Sequence, residues 1–216
     1  MPDHHSYPMI PRELAMDSAT PNPPTDDFLG SAAALLVKSS NSINDRLREE
    51  LPSLFPPQTL PSAMNYETMA FLTSIVLHQA QARLQAIKKP DLNQTFHALK
   101  DGLAQAGSFD PSLFTDAKHF DDQTFHDLVA CYFKGALDGF EFSDQEIENT
   151  ARETGLPIPQ APGIEAIFLA LLIRLIRLST ITAISETAER KKSIASLTRL
   201  TETSLSSFAL ALQLLR

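Results

Sequence analysis

Ile167-Phe168-Leu169-Ala170-Leu171-Leu172-Ile173-Arg174-Leu175-Ile176-Arg177-Leu178 is the stretch whose reading decides the fold. Apolar side chains fall on nearly every side of a helix here, so the helix needs cover from several directions at once. The helical pattern runs over 163–189, the charged turn Arg190-Lys191-Lys192 follows, and a second helical pattern covers 193–215. Together they predict a long C-terminal helical hairpin. The rest of the chain is built around it, or the chain uses it to bind something.

Working outward, Leu156-Pro157-Ile158-Pro159-Gln160-Ala161-Pro162-Gly163 is a proline-stiffened connector into the hairpin. Before it, Ser143 and Glu146 form a capping box opening a short helix that stops at Gly155. Asp121 or Asp122 caps a helix through Leu137, ended by Gly139. Shorter helices are expected over 91–106 and from Asp110-Pro111 to about Lys118, the proline suiting a first helical position. A cleaner helix precedes them, capped by Ser62 or Asn65, with Lys88-Lys89 at the negative end of its dipole and Pro90 beyond. Tyr66, Ala70, Thr73, Leu77, Ala80, Leu84 and Ile87 give it a heptad, read as a bundle seam in preference to a coiled coil. The first helix starts at Asp26 or Asp27 and runs to Leu51, where Pro52 stops it. Its stripe of Leu29, Ala32, Leu36, Ile43 and Leu47 is weakened by Ser39, Ser40 and Ser42.

No segment alternates like a strand between hairpin turn signals, and no repeat recurs at a fixed period. The expectation is an all-α bundle of about seven helices. Residues 26–216 form one domain: an acidic helical part (26–155), the connector (156–163) and the hairpin (164–216). Residues 1–25 carry Pro2, Pro8, Pro11, Pro21, Pro23 and Pro24 with few large apolar groups, and are expected to be a disordered tail.

The chain has 216 residues, 43% apolar and 20% charged, with a formal net charge of −8. That is the composition of a globular protein, and it argues against nucleic acid as a partner. Charge is uneven: residues 110–163 hold three basic and eleven acidic side chains, residues 164–216 seven basic and four acidic. The lone cysteine, Cys131, excludes an intrachain disulfide and any multi-cysteine zinc site, and its apolar surroundings read as core. The first residues lack a basic cluster followed by an apolar run, so a cytoplasmic location is expected. A Ser/Thr/Pro-rich start is also compatible with secretion through an unfolded leader.

Asp116, His119, Asp121, Asp122, His126 and Asp127 are the densest polar group, and His with carboxylate suits several divalent metals. His126-Asp127, with His97 upstream and Asp138 or Asp144 downstream, resembles the His…His-Asp…Asp order of the all-helical HD-type phosphohydrolases, which implies metal-dependent hydrolysis. Leu128 and Val129 follow the pair where that family typically has a small residue. Acidic residues also collect in first turns because of the helix dipole, so the cluster is expected to be structural or solvated. His78 reads as a packed side chain. Phosphate-loop, dinucleotide and nucleophile-elbow motifs are absent from the sequence, as are paired Glu-x-x-His motifs. No cofactor and no metal are expected.

A membrane span over 164–184 is disfavoured because Arg174 and Arg177 near its centre would cost on the order of several kcal/mol in hydrocarbon. Both arginines are expected to reach a polar rim or pair with carboxylates. Ile167, Phe168, Leu171, Leu175 and Leu178 share one side of the helix, and Leu169, Leu172 and Ile176 crowd the next. The partner helix offers only a narrow seam from Ile194 through Thr201, Ser204 and Phe208 to Leu215. The Ser-rich and Gln-rich N-terminal helices are not expected to cover the remainder. This points to an association surface of Ile167, Phe168, Leu169, Leu171, Leu172, Leu175, Ile176 and Phe208. The function expected is non-enzymatic: a helical interaction or assembly protein, a homo-oligomer (most simply a dimer) or one docking a protein partner through 164–216. One alternative is a membrane-engaging, pore-forming or translocator-like protein; another is a metal-dependent hydrolase using His119 and His126.

Overall fold

A computed structural model describes residues 26–56, 61–84 and 122–215. Among them the chain is all-helical, with six α-helices and no strand. These are α1 (Asp26–Glu50), α2 (Pro61–Leu84), α3 (Asp122–Lys134), α4 (Asp144–Thr154), α5 (Ile164–Leu178) and α6 (Thr187–Leu214). Two 3-10 turns, Leu137–Gly139 and Thr180–Ala183, link α3 to α4 and α5 to α6. The expected helices over 91–106 and 110–118, and the 1–25 tail, lie outside the described residues.

The centre of the bundle is α2. From Ala63 to Leu77 it buries nearly every side chain, including Met64, Tyr66, Met69, Phe71, Leu72 and Val76. Three helices pack against it: α1, α3 and α5. Tyr66 meets Phe125, Phe71 meets Tyr132 and His78 stacks on Phe133, so α3 runs parallel to α2. Glu67 pairs with Arg174, whereas Ile75 and Ile167 share one cavity wall, so α5 runs antiparallel to it. One apolar cluster extends from Phe28 on α1 to Leu212 on α6 through all of these elements.

Helix ends follow local chemistry, and several depart from expectation. Pro61 occupies the first position of α2, where its missing N–H costs nothing. Ser62 and Asn65 therefore lie inside the helix rather than capping it. α3 ends three residues before the expected Leu137, because Gly135 turns left-handed at φ 71°. Its N–H still bonds the Tyr132 carbonyl at 3.0 Å. The capping box of α4 is present as expected, and Gly155 at φ 76° closes that helix.

The largest difference concerns the terminal pair. The helix expected to reach residue 189 stops at Leu178. Ser179 breaks it: its hydroxyl donates to the Ile176 carbonyl at 2.8 Å and accepts from the Ile181 N–H at 3.2 Å. Such local bonding offers the backbone an alternative to the helix, and Thr180, Ile181 and Thr182 add β-branched residues. Arg190-Lys191-Lys192 is consequently not a turn but part of α6. The two helices do not form a self-packed hairpin: α5 rests chiefly on α2, and α6 chiefly on α1.

Between α1 and α2 lies a buried polar seam. Ser40, one of the three serines read as weakening the first helix, meets the Thr68 hydroxyl at 2.8 Å. Asn44 Nδ2 donates to Thr68 Oγ1 at 3.1 Å and also to Asn65 Oδ1. These groups satisfy one another, which a buried polar cluster requires.

Candidate functional site

The association surface expected on the terminal helices is covered by the chain itself. Ile167, Leu169, Leu171, Leu172, Leu175, Ile176 and Phe208 are all buried, and Phe168 is half-buried. The expectation that N-terminal helices would leave this face open is corrected. Ser and Gln in those helices misled it: Ser40 and Ser74 turn inward with their hydroxyls satisfied, Ser74 donating to the Phe71 carbonyl at 2.6 Å. They leave α2 apolar enough to seat α5.

Both arginines of α5 pair with carboxylates. Arg174 Nε donates to Glu67 Oε2 at 2.6 Å, and its Nη2 engages Oε1, a two-pronged contact. Tyr132, wholly enclosed, donates to Glu67 Oε2 at 3.4 Å. Burial, then the neighbouring Glu67 charge, pushes the Tyr132 phenol well above its ordinary pKa, so it stays a donor. Glu67 escaped the sequence reading. The signal was a lone carboxylate among the apolar residues 63–72.

Arg177 holds α4 in place. Its Nε and Nη2 donate to Glu146 at 2.9 Å each, Nη2 also reaches the Glu141 carbonyl at 2.9 Å, and the guanidinium lies 5.0 Å over the Phe142 ring. Those bonds, followed by the bond from the Ser143 backbone, lower the Glu146 carboxyl to about 2. Arg190 repeats the device on α6, donating to Glu153 at 2.8 and 3.2 Å and to the Ile181 carbonyl at 2.9 Å.

The His/Asp cluster is only partly in view, since His97, Asp116, His119 and Asp121 lie outside the described residues. His126 sits on α3 with Nδ1 3.7 Å from the carboxylate of its neighbour Asp127. Asp138 belongs to a 3-10 turn and Asp144 to the exposed start of α4. Among the described residues no group of three His, Cys, Asp or Glu side chains is placed to hold a metal ion. Cys131 is half-buried and not fully enclosed; its thiol donates to the Gly139 carbonyl at 2.9 Å, and burial raises its pKa.

No described helix is long and apolar enough to cross a membrane. The large apolar side chains exposed among the described residues are Ile158, Ile164, Leu210 and Leu214. Compared with known proteins, the chain matches no family model, no curated protein and no solved structure.

Proposed function

We propose that this protein is a non-enzymatic helical assembly protein that pairs with a second copy of itself through the C-terminal part of α6. The observation that carries the reading is the pair Leu210 and Leu214, 61% and 73% exposed, one turn apart and opposite the buried Phe208 and Leu212. Thr203 and Ser207 continue the same stripe in steps of four and three. Their hydroxyls already donate along their own helix, Thr203 to the Arg199 carbonyl at 2.8 Å and Ser207 to the Thr203 carbonyl at 3.0 Å. Covering them strands no donor, and their small size lets a second helix approach closely. Two copies related by a two-fold axis would lay this stripe against itself, a closed isologous contact. A single stripe buries less than the ~1,200 Å² below which contacts are weak and transient, so the dimer is concentration-dependent.

Sedimentation equilibrium tests this. Wild-type protein should show a monomer–dimer equilibrium at high micromolar concentration, and the Leu210→Glu/Leu214→Glu double variant should be monomeric with an unchanged helical spectrum. Wild-type protein that stays monomeric at millimolar concentration refutes the reading. Co-sedimentation with liposomes that the double variant abolishes would instead favour a membrane-engaging protein.

A further inference from the structure

A cavity of about 450 Å³ opens between the C-terminal half of α2, the end of α3 and the start of α5. Its apolar wall is made by Ile75, Ile167 and Pro162, with Ile164 at the side. Its polar groups are His78 and Gln79 on α2 and Lys134 at the end of α3. We propose that this cavity binds a small amphipathic carboxylate: an anionic head against Lys134 and an apolar body against the isoleucines.

Four observations support it. The size and the mixture, apolar side chains with a few polar groups among them, are those of small-molecule sites. Among the described residues the charge has one sign, since Lys134 is the charged side chain of the lining and no described carboxylate belongs to it. Glu165, on the same helical turn as the lining residue Ile164, is exposed and not part of that lining. Gly163 caps α5 without a side-chain bond, and Gly163 and Ile164 border the cavity, so first-turn N–H groups at the positive end of the α5 dipole lie beside it.

The site is also built rather than loose. The Gly163 N–H donates to the Gly135 carbonyl at 2.7 Å, tying the start of α5 to the end of α3 within the cavity lining. The His78 ring lies on Phe133, centroids 4.4 Å apart and 20° from parallel. Burial of that face lowers the His78 pKa, against an opposing hydrogen bond to the Phe133 backbone, so near neutral pH the imidazole is a neutral polar group and Lys134 is the cation. Ile164, 60% exposed, gains cover when the body of a ligand lies against it. Among the described lining residues a divalent cation finds no carboxylate, and a nucleotide polyphosphate would meet a single lysine.

The probes are octanoate, octanol and acetate, followed through the isoleucine and leucine methyl resonances of the full chain. Octanoate should shift the Ile75, Ile164 and Ile167 methyls saturably, and acetate should not. Lys134→Gln, at an exposed position, should weaken octanoate about tenfold, the loss of one charge-assisted bond, while leaving octanol unaffected. Ile164→Ser, also at the surface, should weaken octanoate and octanol alike. The proposal is overturned by unmoved isoleucine methyls at millimolar octanoate. It is equally overturned by octanoate binding as tightly to the Lys134→Gln variant as to wild type, or by shifts confined to Leu210 and Leu214.

Discussion

The Glu67 side chain is 6% exposed and its partner Arg174 29%, so the two ends of this ion pair stand in different surroundings. Arg174 stripped of its partner can turn its head to water, whereas Glu67 stripped of Arg174 remains enclosed beside a phenol. Arg174→Met should therefore cost about 3–5 kcal/mol, the penalty of an unpaired buried charge, and Glu67→Leu about 1–2 kcal/mol. Replacing both should recover most of the loss, because the desolvation cost disappears with the charges. Urea unfolding of the two single variants and the double variant gives all three values; equal losses in the single variants would contradict the asymmetry. The arginines were legible in the sequence as charges that would reach a polar rim or pair with carboxylates, and both pair. Glu67 was not, because a lone acidic residue beside a heptad reads as a solvated position until three helices close round it.

Among the elements, α4 is seated by charge as well as by the packing of Ala151 and Ile147 against Leu169 and Ile173, and α3 ends at a glycine. The Glu146 carboxyl is lowered from its ordinary 4.5 to about 2 by Arg177 and the Ser143 backbone. A depressed pKa means that its stabilisation is present above pH 4.5 and is lost as pH falls toward 2. The pair is half-exposed, so the effect is local. Amide protection within 144–154 should drop across that window ahead of the protection of α2, and Arg177→Gln should move the drop upward to the ordinary carboxylate range. Simultaneous loss in both helices would show that α4 is not a separate unit.

Among the described residues two glycines, Gly135 and Gly155, adopt left-handed φ, and they should not respond alike to alanine. A Cβ on Gly155 meets nothing within 4 Å, so Gly155→Ala costs only the backbone strain of about 1 kcal/mol. On Gly135 a Cβ would lie 3.1 Å from the Gly163 nitrogen, so Gly135→Ala should cost more and disturb the α3–α5 tie. Thermal melts of the two variants compare them directly. The capping box and Gly155 were readable because cap chemistry is local. The end of α3 was misplaced at Gly139 because two glycines compete there. The end of α5 was missed because Ser179 acts through a hydroxyl that apolar periodicity ignores.

For the molecule as a whole, the all-helical class followed from the spacing of apolar residues, but the arrangement did not. The 167–178 segment is the most apolar run in the chain, and the sequence suggested that it must be central or exposed. It is instead one of three helices laid on α2. What hid this was the composition of α1 and α2: Ser40 and Asn44 on the first, Asn65 and Thr68 on the second, look like polar interruptions singly, and only in contact do they cancel. The same packing means that Leu172→Glu would unfold the protein instead of separating copies. Leu210→Glu should leave the monomer intact, and far-UV circular dichroism distinguishes the two outcomes.

Enclosure on three sides gives α2 a further property, one of time rather than shape. The amides of 66–77 cannot meet water by fraying, since Pro61 and Leu84 lie more than a turn away on either side. Nor does lifting any single neighbour expose them all. Their exchange with deuterium should proceed only through opening of the entire molecule, with protection free energies equal to the global stability and the same denaturant dependence. Amides of α4 should exchange through smaller openings. A slow-exchanging core centred on α5 instead, or α2 amides exchanging with a shallower denaturant dependence than global unfolding, would place the last structure to open elsewhere.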